Sequence, residues 1–276
     1  MNKSQKHTKT KLPQDTQRII ARLNVMDDIF FHKIAEDLPV CEEILRIILD
    51  KPDLQLIEAQ PQRFLRNFGA RSVILDLFCI DSSGKRINVE IQTTQSDNYV
   101  KRMRYNSSNI DTLFTEKGIS FQEIPDLYLI FISDFDIFKD GKAFYQVERR
   151  LRPTNLPADN GIHEIYINTA INNHSPVAEL MQYFKDSSGF HPAFPKLCNL
   201  VDFYKHAQKE VLIMCEIVEE YAKNYAKEYA VEYAREYAEN YAEETFKRAI
   251  EYHCHQFIEK RNVPGFYPIH SSFSLH

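Results

Sequence analysis

Asp76 stands inside the apolar run Val73-Ile74-Leu75-Asp76-Leu77-Phe78-Cys79-Ile80, and Glu90 and Gln92 follow in Val89-Glu90-Ile91-Gln92. An ionised carboxylate among such neighbours is costly to bury unless something pairs with it. Between the two segments, Ser82-Ser83-Gly84 reads as a three-residue hairpin loop in which Gly84 takes the left-handed position. That loop sets Asp81 opposite Lys85 and, counting back along both strands, Asp76 opposite Glu90, with Cβ atoms about 5 Å apart. The strand period of two adds Asn88 and Gln92 to the same face. Carboxylates that face each other repel, and a divalent cation between them reverses the sign. Hard oxygen donors suit Mg²⁺ or Mn²⁺, ions that keep waters, bind phosphate oxygens and activate water against a phosphodiester. The other reading of the same residues is a hairpin whose acids are solvated or paired with Lys101 or Arg102.

The elements that would position this group follow from periodicity. Residues 71–80 and 86–94 read as the two hairpin strands. Residues 26–49 show a helical period that ends at Lys51-Pro52, and residues 54–59 suit a short strand. Residues 98–117 look helical, with Gly118 as the stop. Residues 127–132 and 162–167 are further strand candidates. The order helix, three strands, helix, strand predicts an α/β protein with a mixed sheet flanked by helices.

Composition narrows the alternatives. The chain has 276 residues, of which 26% are charged and only 7 are Gly, and no Gly lies in a phosphate-cradling loop motif. Five cysteines without C-x-x-C spacing indicate neither disulfides nor a zinc knuckle, and no apolar run approaches a membrane span. A cytoplasmic protein with no membrane partner is the expectation. Residues 1–22 carry Lys3, Lys6, Lys9, Lys11, Arg18 and Arg22 against Asp15, which reads as a basic flexible arm, so the remainder is more acidic than the net charge of -5 suggests. Any DNA contact must then use local patches and this arm. Arg149, Arg150 and Arg152 form one such patch or an ordinary solvated loop.

Residues 203–258 read as one long helix, about 80 Å if continuous, followed by a flexible tail at 259–276. Tyr-Ala-x-x recurs from Tyr221 to Tyr241. A four-residue period winds the Tyr stripe around the helix, suited either to wrapping a partner helix or a second protomer, or to a plain solvated helix. His253-Cys254-His255 holds soft ligands, but adjacent helical residues point apart.

Asp76 followed across a turn by Glu90-x-Gln92 resembles the PD-(D/E)XK nuclease signature. More narrowly, the chain is similar to the recombination-promoting nucleases, also described as PD-(D/E)XK nuclease family transposases. The similarity spans residues 24–166, from Asp28-Ile29-Phe30-Phe31 through the hairpin to Arg102 and Tyr105, and includes the C-terminal four-residue repeats. It implies a restriction-endonuclease-like domain at residues 23–200 and a metal-dependent DNA endonuclease tied to recombination or mobile elements. Asp76 and Glu90 would hold Mg²⁺ or Mn²⁺, the Ile91 carbonyl would add a ligand, and Gln92 would orient the attacking water. Gln92 replaces the family's Lys, so the amide aligns water without supplying a cation. Lys101, Arg102 and Tyr105 on the next helix are accessory positions, the first two as sources of the missing charge. His32 departs from the group's usual Lys, and Asp28 lies near the site or caps its helix. The alternative is a degenerate nuclease fold acting as an interaction or DNA-binding module through its C-terminal helix.

Overall fold

A computed structural model describes residues 14–206, apart from 68–70, 96–97 and 116. The Tyr-Ala repeat, the self-association expected of it, His253-Cys254-His255 and the tail lie outside these residues. Contacts divide the chain into Met1–Val218 and Glu219–His276, and every described residue belongs to the first unit.

Three helices come first: α1 (Gln14–Arg22), α2 (Asp28–Ile34) and α3 (Leu38–Leu49). Strands β1 (Leu56–Leu65), β2 (Val73–Asp81) and β3 (Arg86–Gln92) follow, then α4 (Tyr99–Phe114) and β4 (Leu127–Ser133). The chain continues through β5 (Phe144–Val147), β6 (Ile162–Asn168), α5 (Pro176–Asp186) and α6 (Pro195–His206). The strands form one sheet in the order β1-β2-β3-β4-β6-β5. β1, β2 and β3 pair antiparallel, β3, β4 and β6 pair parallel, and β5 returns antiparallel on β6.

Strand parity sorts the core into two layers. Ile87, Val89 and Ile91 of β3, with Ile130 and Ile132 of β4, pack under α2, α3, α5 and α6. Leu129 and Phe131 of β4 and Phe78 of β2 face Tyr99, Met103 and Ile110 of α4. On this α4 side, however, β3 presents Arg86, Asn88 and Glu90, all buried, and then Gln92. A polar row thus crosses an otherwise apolar layer, and its groups need partners there.

Several expectations change. The single helix expected over residues 26–49 is two, because Asp37 leaves the helical region (φ -92, ψ 100) and its side chain accepts a 3.0 Å hydrogen bond from Val40 N, with Pro39 in the first turn of α3. Asp37→Ala should therefore cost about 1 kcal/mol, read by urea denaturation; an unchanged midpoint would mean that the cap contributes nothing. The last part of the expected arm is the helix α1, since Ile20 and Leu23, three residues apart, bury against the core. β1 runs past 59 through Pro61, which an edge strand tolerates. β5, only four residues long, carries no clear alternation and escapes the sequence reading. Residues 203–206, expected to open the long helix, complete α6.

Candidate active site and metal centre

The hairpin turn is built as its residues dictate. Gly84 has φ +84, and Asp81 and Lys85 face each other through Asp81 N to Lys85 O at 3.0 Å. One carboxylate oxygen of Asp81 accepts from Ser83 N, Ser83 Oγ and Lys85 N. The resulting register pairs Ile80 with Arg86 and runs to Leu77 with Val89, as the loop length requires. At the next step side chains replace the ladder. Asp76 Oδ2 accepts the Ile91 amide at 2.8 Å, and the Glu90 carboxylate receives the Asp76 amide. On the other side of β2 the paired register skips the Gln62 position, between Pro61–Leu77 and Arg63–Leu75. Gln62 takes φ +49, a left-handed conformation that costs a non-Gly residue about 1 kcal/mol.

Glu90 is 1% exposed. Its Oε2 accepts from Arg102 Nη2 at 3.1 Å and its Oε1 from Asn88 Nδ2 at 3.2 Å. Arg102 forks, because its Nη1 also reaches Gln92 Oε1 at 3.2 Å, while Gln92 Nε2 donates to Thr94 Oγ1 at 2.5 Å. Arg102 sits here because Asn98 caps α4 by accepting from Lys101 N, which places the first turn of α4 over the end of β3. Burial, and then the neighbouring Asp76, push the Glu90 carboxyl up to about 8 against the pull of Arg102. Burial likewise raises Asp76 to about 6, offset in part by the Ile91 amide. Both carboxyls resist ionising in the absence of more positive charge.

A third group enters from α2. Asp28 and His32 occupy one helix face at i and i+4, with His32 Nε2 3.2 Å from Asp28 Oδ1. Ligand atoms of Asp28, His32 and Asp76 all lie within 4.8 Å of one another. His32 Nε2 is buried without a hydrogen bond, and Gln62 Nε2 lies 2.7 Å from Nδ1. Burial lowers the His32 pKa despite Asp28, so the ring is held neutral, the form that ligates metals. With the Gln62 nitrogen on Nδ1, the ring proton sits on Nε2. Turning the Gln62 amide over would move that proton to Nδ1 and free the Nε2 lone pair towards the carboxylates. An imidazole nitrogen without a hydrogen bond, 3.2 Å from one carboxylate and close to a second, fits a small divalent cation, as does the deficit of positive charge at Asp76 and Glu90.

Of the residues expected at the site, Asp76, Glu90, Gln92, Arg102 and Asp28 gather at this end of the hairpin. Ile91 contributes its amide, to Asp76. Glu90 is held by Arg102 and Asn88 and is not part of the Asp28–His32–Asp76 cluster. Lys101 and Tyr105 instead line a cavity beside α4, where the Tyr105 hydroxyl donates to Arg71 O at 2.6 Å. The sequence reading misses His32 as a ligand and Gln62 as its partner. The four-residue spacing from Asp28 is a usable signal for the first, whereas nothing local marks the second.

A mixed sheet flanked by helices, with an Asp on one hairpin strand and Glu-x-Gln on the next, defines a PD-(D/E)XK nuclease-like α/β protein. Residues 36–159 match the family described as PD-(D/E)XK nuclease family transposase. No curated protein and no solved structure matches the chain. The matched segment contains Asp76, Glu90, Gln92 and Arg102, whereas Asp28 and His32 precede it. Among the described residues, no helix is long and apolar enough to cross a membrane.

Proposed function

We propose that this protein is a metal-dependent DNA endonuclease, linked to recombination or mobile elements through its family. The observation that carries the reading is the pair of acids at the hairpin's end, each taking an amide of the other strand and each raised in pKa, beside a neutral imidazole whose Nε2 has no hydrogen bond. Asp76 and Glu90 would hold the ion, with the Ile91 carbonyl, Asp28 and His32 as further donors. Bound there, a divalent ion supplies an acidified water and offsets charge on the phosphodiester. Gln92 has an amide to align that water, and Arg102, between Glu90 and Gln92, is the cation placed to meet a phosphate oxygen. A nitrogen donor among carboxylates favours Mn²⁺ over Mg²⁺.

The test is supercoiled plasmid with Mn²⁺, Mg²⁺ or EDTA. Nicking is expected in Mn²⁺, more slowly in Mg²⁺, and not in EDTA; equal nicking in EDTA would rule the mechanism out. The ion pair that occupies Glu90 favours a second reading, a DNA-binding module that does not cut. Retained DNA binding with no nicking in either ion supports that one.

A further inference from the structure

A cavity of about 600 Å³ opens between the start of β2 and the first two turns of α4. That volume lies within the range of small-ligand sites and accommodates a nucleotide. Its walls combine three cations, Arg71, Lys101 and Arg102, with the Tyr105 ring and with Ile74, an aliphatic side chain left 56% exposed on β2. Asn106, one turn beyond Arg102 on the same helix face, also lines it. This residue is 1% exposed and its Nδ2 has no hydrogen-bond partner. An unpaired amide donor buried in the wall of a cavity calls for an acceptor. Cations call for an anion, and the apolar and aromatic walls call for a flat, weakly hydrated group. A nucleotide offers all three, with carbonyl or ring-nitrogen acceptors on the base, a π-face and a phosphate.

Arg102 joins this cavity to the acids, since the residue lines the cavity while its guanidinium bonds Glu90 and Gln92. A base inside a duplex cannot enter without leaving its stack. We propose that the cavity receives an unpaired nucleotide of the DNA strand adjoining the scissile phosphate, its base against Asn106 and its phosphate near Arg71 and Lys101. This deepens the nuclease reading and rests on it. The enzyme then acts on DNA with a single-stranded tail, gap or flap in preference to continuous duplex.

The experiment measures fluorescence anisotropy of labelled oligonucleotides in EDTA, where nothing is cut, comparing continuous duplex with the same duplex carrying a short single-stranded tail. Wild type should bind the tailed DNA about tenfold more tightly. Asn106→Leu, similar in shape but without the donor, and Arg71→Glu, on the exposed rim, should each remove most of that preference. Arg71→Glu keeps the test available if the buried variant fails to fold. A wild type without tail preference, or variants that keep it, overturns the proposal. Displacement of the tail by deoxynucleoside monophosphate at lower concentration than by single-stranded DNA would assign the cavity to a free nucleotide and also overturns it. Asp76-dependent nicking without tail preference overturns this inference alone, and tail preference without any nicking overturns the nuclease reading alone.

Discussion

Asp76→Asn should lower plasmid nicking by more than about 100-fold, beyond the loss typical of residues that only support a metal ligand, while the protein stays folded. Asn preserves the size of the side chain, and its oxygen can still accept the Ile91 amide that Asp76 Oδ2 takes at 2.8 Å. What disappears is the negative charge that attracts the ion. Asp76→Ala is the poorer experiment, because it also leaves that amide unsatisfied. Glu90→Gln should lose a comparable factor, with Arg102 left facing a neutral amide. Since both acids serve one ion, the double variant should be no worse than the weaker single one. Melting in EDTA separates function from folding. Each single variant should melt at or above the wild-type temperature, because one of two buried, mutually repelling acids has been neutralised. Wild-type nicking rates in both variants would end the assignment of these acids.

The second large effect is an inverted dependence of stability on pH. Carboxylates paired in a fold usually make it more stable as pH rises through the acid range. Here Glu90 goes from 4.5 to about 8 and Asp76 from 3.8 to about 6 on folding, both driven first by burial. The folded chain therefore binds these protons more tightly than the unfolded chain does. The stability they contribute is complete below about pH 4 and drains away as pH climbs towards 8. In EDTA the difference in melting temperature between Glu90→Gln and wild type should widen between pH 5 and 8 in favour of the variant, which isolates this group from every other titration.

Adding Mn²⁺ should oppose the trend in the wild type. Ligands bind the ion in their deprotonated form, so metal affinity grows with pH. At about 100 times the dissociation constant the ion adds about 2.7 kcal/mol. A variant minus wild-type difference that is flat from pH 5 to 8, or Mn²⁺ stabilisation as large in Glu90→Gln as in wild type, contradicts the picture of an acid pair waiting for a cation.

The part of the site closest in the chain was readable in advance. A loop of Ser82-Ser83-Gly84 leaves few ways to close the hairpin, and the register from Ile80–Arg86 to Leu77–Val89 is the one that loop imposes. Alternation then places Asn88, Glu90 and Gln92 on one face, the α4 side of the sheet. Arg102 appeared among the candidates only as one of two neighbouring cations. The cap at Asn98 and the packing of Tyr99 and Met103 on Phe131 and Phe78 decide that it, and not Lys101, reaches Glu90. The apolar period runs through the break between α2 and α3, so periodicity does not mark it, although Asp37-x-Pro39 carries the cap.

Turn chemistry, strand alternation and helical spacing act between residues a few positions apart, so the sequence alone determined the hairpin, the face that Glu90 shares with Asn88 and Gln92, and the adjacency of Asp28 and His32 on one helix turn. Distances across elements depend instead on which apolar faces bury together. Packing of Phe30, Phe31 and Ile34 into the sheet's larger core brings His32 to Asp76. A left-handed backbone turns Gln62 towards that imidazole. The seating of α4 on the opposite face leaves the Asn106 donor at the edge of a cavity. Those three arrangements come from long-range burial, which has no fixed spacing along the chain, and only the tertiary structure decided them.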